Sequence, residues 1–447
     1  MRRSLCLLML TLSTVACGKN VQVATFSADV TPPLGCPLEM GVIEPAREIV
    51  APLSARGIVI IGAGKPLVLA AVDWIGIANS GHEQWRKALA EAAHTTPDRV
   101  TVHTLHPHDT PGYDPDAERL LARQGLAGRI YDVAFTGQAL DRVVRALAEA
   151  MARPQPVTHV SLGQARVQQV ASNRRILGPD GKVKYVRYSS CRDPKVRAEP
   201  EGVIDPLVRS IGFWNQDRPV AVLTYYATHP QSFYGKGGVN PDFVGMARAS
   251  REKAVPGAMH IHFDGAGGNV AAGKYNDGSP AMRPVLAGRL AEGMREAWES
   301  SVKQPLDARD IGWRTMHVVL PPAEKLRDRA AIEKALTDSK SDMRTRLRAA
   351  RELAWLDRGH QAELSCLRLG PARVLHMPGE LFIEYQLAAA GMRPGSMVAM
   401  AAYADYGPGY IGTRTSYSQG GYETGPASRT APEVEEVLMR AMRELLR

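Results

Sequence analysis

The sequence predicts an α/β chain of mixed α+β type, with β-sheets flanked by helices and its chemistry at the carboxyl ends of strands. Two observations carry this. Short apolar runs alternate along the chain with stretches of helical period, and such alternation builds sheets covered by helices rather than a bundle or an all-β sandwich. Histidines also cluster where predicted strands give way to loops, and open α/β sheets form ligand sites outside strand carboxyl ends.

Taken in order, RGIVIIGAG and PLVLAAVDWIG read as a hairpin between Arg56 and Gly76. Helical period follows from His82 to His94. DRVTVHTLHPH is a strand running into a loop. A long helical stretch covers Glu118 to Arg153, interrupted near Gly125 and Gly128. The polar, Pro-containing segment from Lys182 to Pro206 reads as a long surface loop. PVAVLTYYATHP and AMHIHFDGAGGN are strands ending in turns. VLAGRLAEGMREAWES and two segments between Ala323 and Asp357 are helical. LSCLRLGPARVLHMPGE gives two strands joined by a turn, followed by the helix LFIEYQLAAAGM and the strand SMVAMAAYADYG. A last helix follows Pro432. No internal repeat is evident, and no domain boundary interrupts residues 20–447.

Composition bounds the function. The chain has 447 residues, 45% hydrophobic and 23% charged, with a formal net charge of +9. That length buries a sizeable core without disulfide staples. The positive balance suits a basic solvated surface or an anionic envelope polymer or lipid headgroup. Lys and Arg are dispersed and no nucleic-acid motif occurs, so nucleic acid is not an expected partner. Arg2 and Arg3 precede the apolar run Leu5 to Leu12, then small residues and Cys17. This is a secretory signal over residues 1–16, too short for a membrane span of about 20 residues. STVAC resembles a bacterial lipoprotein box with Cys17 as the acylated residue, although Thr14 stands where Leu is usual. Export to the periplasm or an outer-membrane lipid anchor is the expectation, with simple secretion as the alternative. Beyond Cys6 and Cys17, Cys36, Cys191 and Cys366 have no metal or scaffold spacing, and one disulfide among them is possible.

His103, His106 and His108, then His260 and His262, mark two strand-to-loop junctions, and His229 ends a third strand. Neutral imidazole is a favoured zinc ligand, and catalytic zinc usually has a few protein ligands plus water. Spacing alone leaves two readings level: a metal site, or buried hydrogen-bonded histidines.

The surrounding motifs resemble the neutral/alkaline (non-lysosomal) ceramidases. DVTPPLG at 29–35 with MG at 40–41, VLAAVDWIG with Asp73, and HPHDTPG at 106–112 resemble the family's amino-terminal half. TYYATHP, NPDFVGMAR at 240–248, FDGAGGN at 263–269, MPGELF at 377–382 and GYIGTRTSYSQGGYE at 409–423 follow in the family's order. The resemblance implies Zn2+ held by His106, His229, Glu380 and Tyr410. It implies further that His108 and Tyr422 stabilise an oxyanion. Each residue has a blander reading: core histidines, a helix-capping Glu380, a sheet-edge Tyr410. Asn269 and Asp264 flank the Gly-rich turn, where they orient water or ligands, or merely shape the turn. Arg414, between Tyr410 and Tyr422, holds a polar substrate group or makes a surface ion pair. The chain departs from the family at Ala271, where ceramidases carry a serine in this turn, and it stops at Arg447 without their immunoglobulin-like domain.

The implied activity is hydrolysis of an N-acyl amide, ceramide-like, with a lipid or small-molecule substrate. The alternatives are a zinc hydrolase of another amide or ester, such as an envelope lipid or acylated sugar, and a non-catalytic envelope lipoprotein.

Overall fold

The computed structural model describes residues 21–447. The expected signal and Cys17 lie outside the described residues. No helix among the described residues is long and apolar enough to cross a membrane. Cys36, Cys191 and Cys366 are free thiols, so the possible disulfide does not form.

The architecture is the mixed α/β one expected, but it contains a repeat that the sequence hides. Three sheets share one plan: an outer strand, an antiparallel hairpin, a helix, then a fourth strand parallel to the third. In the first sheet the strands are Val21–Asp29, Ser54–Gly62, Gly64–Val72 and Val100–Thr104, with the helix Ser80–Ala92 before the last. In the second they are His159–Arg166, Leu207–Asn215, Arg218–Tyr226 and Met259–Asp264, with Asp242–Ala254 as the helix. In the third they are Ile311–Val319, Gln361–Leu369, Ala372–His376 and Val398–Ala401, with Ile383–Met392 as the helix. Edge strands Gln155–Val157 and Val302–Pro305 extend the first two sheets.

The sequence builds this unit for ordinary reasons. A hairpin needs only a short turn, and Gly62 and Gly64 supply it with positive φ in the first sheet. A parallel pair needs a crossover, which each helix provides. The parallel strands are covered on both faces and therefore read as near-continuous apolar runs; Val398–Ala401 is buried throughout. The Glu118–Arg153 stretch is two helices, Pro115–Ala122 and Val133–Met151, each capped by an aspartate (Asp114, Asp132). Gly125 and Gly128, both at positive φ, sit in the break between them.

The plan has one consequence for chemistry. Each parallel pair points its carboxyl ends the same way, and the three sets of ends meet. Backbone bonds stitch the meeting point: Thr104 N–H donates to Tyr403 O (3.0 Å), joining the first and third sheets, and Ala402 N–H donates to Asp264 O (2.9 Å), joining the second and third. His103 and His262 are core residues beside this junction, and His260 is buried near the start of its strand. His103 bonds Ala402 O and His376, and His262 bonds Thr224 and stands 3.2 Å from Asp264. Burial pushes His103 and His260 down to about 4 and His262 to about 3, so all three are neutral rings. Asp264 is fully buried against His262.

An ion pair ties the first repeat to the second. Both oxygens of Asp73, just past the third strand of the first sheet, accept from Arg248 on the helix of the second (2.6 and 2.7 Å). The Ser54 N–H and hydroxyl complete the shell. Burial alone would raise the Asp73 carboxyl, but Arg248 and Ser54 outweigh it and hold the group below its ordinary value. Arg248→Ala leaves that carboxylate buried and uncompensated. It is expected to cost about 3–5 kcal/mol, read as a lowered urea midpoint by circular dichroism.

Candidate metal centre

His106, His229 and Glu380 each lie two to four residues past the end of a strand in a parallel pair, one from each repeat. Tyr410 comes from the loop after the third sheet and pairs in register with Glu380 in a short parallel ladder, Glu380–Leu381 against Tyr410–Ile411.

Each imidazole is aimed by its other nitrogen. His106 Nδ1–H donates to Ile75 O (2.5 Å) and His229 Nδ1–H to Gly267 O (2.6 Å), which turns both Nε2 atoms toward Glu380. A carbonyl fixing the tautomer in this way is the usual support of a metal-binding histidine. The Nε2 atoms converge on one carboxylate oxygen: Glu380 Oε2 is 3.4 Å from His106 Nε2 and 2.8 Å from His229 Nε2. Tyr410 OH is 3.2 Å from His229 Nε2. Ligands about 2.0–2.1 Å from a tetrahedral zinc ion stand roughly 3.3 Å apart, so these donors have the spacing and chemistry a divalent cation requires. His106 itself has φ +59°. A non-glycine residue in this region costs on the order of 1–3 kcal/mol, and such outliers cluster at functional sites. Its ring stacks on Tyr403 at 4.8 Å.

Protonation states agree with that fit. Burial and the nearby Arg174 guanidinium push His229 down to about 3. Burial works to raise Glu380, but His106 and His229 together hold it well below the usual carboxylate range. The result is an anionic carboxylate beside a neutral imidazole, the form that binds cations. Glu380 Oε1 accepts from Tyr406 OH (2.6 Å), which orients the other oxygen toward the histidines.

His106, Glu380 and Tyr410 line a cavity of about 310 Å3 together with His108, Tyr422 and Arg174, and His229 is fully buried behind them. His108 is a further imidazole in the cluster; its nearest ring nitrogen lies within 4.8 Å of those of His106 and His229. That spacing is looser, and both its nitrogens face other partners: Glu39 Oε1 at 2.8 Å from Nδ1 and Gln231 Nε2 at 2.5 Å from Nε2. His108 nonetheless belongs to a buried three-histidine group that could itself hold an ion. Tyr422 packs edge-on against Tyr410 and stacks with Tyr188. Burial raises its phenol to about 12, so it keeps its proton at neutral pH.

Two expected site residues lie elsewhere. Arg414 begins the helix Arg414–Gln419, which Thr413 caps, and this turns its side chain outward. That side chain is 56% exposed and stands 3.9 Å from Glu436. The guanidinium beside Tyr410 and Tyr422 in the cavity is Arg174 instead. It donates to Tyr410 OH (3.1 Å), lies 5.4 Å over both the Tyr410 and Tyr422 rings, and faces Glu423. Asn269 does not line this cavity. Its Oδ1 accepts from Ile383 N–H and its amide donates to Glu384, so it clamps the Gly-rich turn to the helix after Glu380. Ala271 is buried in a short ladder with Ser172 and also lies off the cavity lining.

Arg174, Tyr406, Glu39 and Gln231 were not read from the sequence as site residues, since none stands at a strand-end histidine or at a family motif position used there. The Lys182–Pro206 segment is also more than a surface loop. Arg187 is buried and donates to the carbonyls of Asn173, Glu199 and Pro200, which places Tyr188 and Ser189 in the cavity wall.

Two substitutions test the geometry. Tyr406→Phe removes the bond that orients Glu380 and is expected to weaken zinc affinity about 10–100-fold in a chelator competition, with the fold intact. At Gly268 an added Cβ would lie 2.3 Å from Glu380 O and 2.7 Å from Leu381 O. Gly268→Ala therefore displaces the Glu380 strand, and calorimetric zinc titration should show metal binding lost or weakened beyond the Tyr406→Phe level.

No family model and no curated protein matches this chain. Among solved structures it is similar to neutral ceramidase from Pseudomonas aeruginosa, at 17% identity and a TM-score of 0.70, covering 96% of this chain and 74% of that one. A ceramidase complexed with C2 is similar at 16% identity and a TM-score of 0.69, over 96% of this chain and 75% of its own. Across nearly all of its length, the chain has the neutral ceramidase fold.

Proposed function

We propose that the protein is an exported zinc-dependent hydrolase that cleaves an N-acyl amide. The observation that carries this is the convergence of His106 Nε2, His229 Nε2, Glu380 Oε2 and Tyr410 OH at the mouths of three parallel strand pairs, beside a cavity that His106, Glu380 and Tyr410 line. The shared fold with ceramidases supports the amide as the bond cleaved. The Arg2–Arg3 leader and Cys17 support export and a lipid anchor.

His106, His229, Glu380 and Tyr410 would hold the ion. A bound zinc ion lowers the pKa of water to about 7 and polarises a carbonyl. The chain's own residues do the rest. Tyr422 remains protonated and can donate a hydrogen bond to the oxygen that gains charge as water adds to the carbonyl carbon. His108, between Glu39 and Gln231, lines the cavity beside the reacting groups, and the proton released by the added water passes to the departing nitrogen. The C–N bond then breaks, leaving a carboxylate and an amine that carries the transferred proton. Arg174 keeps Tyr410 and Tyr422 in place and adds positive charge to their hydroxyls. No step requires a serine at position 271.

The test is metal content and turnover on the same preparation. The purified protein should carry close to one zinc, and a short-chain fluorescent ceramide or simple aryl amides and esters should report hydrolysis that a chelator removes and zinc restores. Glu380→Ala should lower kcat/KM by on the order of 10^3 or more, as loss of the ion removes its transition-state charge stabilisation. Bound zinc below about a tenth of an equivalent, or full activity in Glu380→Ala, would sink the reading.

A further inference from the structure

The cavity beside the candidate metal centre is lined by four arginines (Arg174, Arg348, Arg351 and Arg429) and by only two acidic residues, Glu39 and Glu380. Both acids are engaged: Glu39 faces His108 and Glu380 faces the two imidazoles. Arg174 is engaged too, with Tyr410 and Glu423. The other three are not. Among the described residues, none of Arg348, Arg351 and Arg429 is ion-paired with a carboxylate. Glu352, the neighbour of Arg351 in sequence, is turned to Lys325 at 3.3 Å.

Two of these guanidiniums are short of partners where partners matter. Arg429 is buried; one of its terminal nitrogens donates to Gly407 O (2.9 Å), and its Nε has no partner. The Nε of Arg351 is also buried and unpartnered, and its side chain meets only the Met40 sulfur at 3.1 Å. Burial and repulsion from Arg351 both push Arg429 downward, so the two cations stand close enough to disfavour each other. Arg348 is exposed at the rim. Unpaired buried cations are costly unless something compensates them. An uncharged ligand such as ceramide would desolvate these groups further and offer no counter-charge. A carboxylate, sulfonate or phosphate would satisfy them with charge-assisted bonds, which guanidinium forms in bidentate fashion. Gly407, whose carbonyl holds Arg429, precedes Gly409 and Tyr410, so this basic wall adjoins the metal position along the chain.

We propose that the cavity selects an acyl substrate that carries an anionic group close to its scissile bond, seated on Arg351 and Arg429 with Arg348 at the rim. The acyl part rests on the hydrolase reading of the same site; the anion preference stands on the arginines.

The experiment separates the two. Binding of N-dodecanoylglycine, N-dodecanoyltaurine, dodecanoyl phosphate and neutral N-dodecanoylethanolamine to the zinc-loaded protein is measured by calorimetry, and turnover of the same compounds is followed in parallel. At least one anionic ligand is expected to bind about tenfold or more tightly than the neutral one, a typical gain for a charge-assisted pair; the three anions show which acid group fits. The ratio should collapse toward one in Arg348→Gln/Arg351→Gln, a pair chosen because neither residue supports the Tyr410 loop as Arg429 does. Lysine at position 351 should restore part of it. Equal affinities in the wild type, or a ratio unmoved by the double substitution, would overturn the proposal. Anion-selective binding without turnover would uphold it and remove the hydrolase reading, whereas turnover with equal binding would do the reverse.

Discussion

Everything in this molecule depends on three parallel strand pairs ending at one place. A hairpin presents both strand ends to the same side only after the chain has turned, whereas a parallel pair sends two carboxyl ends in one direction. Three such pairs, joined by the bonds from Thr104 to Tyr403 and from Ala402 to Asp264, give six strand ends around a common point. The loops that leave them place carbonyls beside the two rings, those of Ile75 and Gly267. Those carbonyls accept the Nδ1 protons of His106 and His229. The fold therefore sets the histidine tautomers before any ion is considered.

The same junction explains why so much charge is tolerated inside. Asp73 and Arg248 lock the first two repeats, and Gln386 on the third repeat's helix reaches Ala266 N–H and Asp205. Asp405 accepts from Asn79 N–H and so ties the third repeat to the first. A buried polar group is stable only when its partners are fixed. Here the partners belong to different repeats, so satisfying the polar groups and fixing the relative positions of the three sheets are one requirement. The Gly-rich turn obeys the same constraint. Gly267 and Gly268 let the backbone of this turn approach His229 and Glu380 more closely than any side chain permits.

Much of this was legible from residue pattern. The alternation of apolar runs and helical period predicted the layers, and the position of His106 and His229 just past strands predicted that these residues stand at strand carboxyl ends. The bonds made by Asn269 belong to the turn-forming alternative rather than to water or ligand orientation. The threefold repeat was invisible because the repeats share a hydrogen-bonding plan and not side chains. VTVHT, MHIHFD and VAMA fill equivalent strands with nothing in common but burial. Arg414 failed as a site residue for a local reason: lying between Tyr410 and Tyr422 in sequence says nothing of direction once Thr413 starts a helix there. Arg174 was missed for the converse reason. It stands 236 residues from the Tyr410 hydroxyl to which it donates, and only the packed fold brings the two together.

The cavity charge then separates two questions that a resemblance to one fold runs together. In the proposed reading the donor set speaks to the reaction, because imidazoles, a carboxylate and a phenol define what an ion held there would do. It is silent on the substrate, since any acyl group with a carbonyl at that point would serve. What distinguishes one substrate from another is the wall facing the donors, and here that wall carries Arg348, Arg351 and Arg429 without a matching acid. A shared fold is compatible with a different wall, because wall residues come from the loops and the Met343–Asp357 helix rather than from the strands that fix the ligands. On that proposal, reaction and specificity are set by different parts of this chain. The strand ends hold the first constant while the arginines are free to define the second.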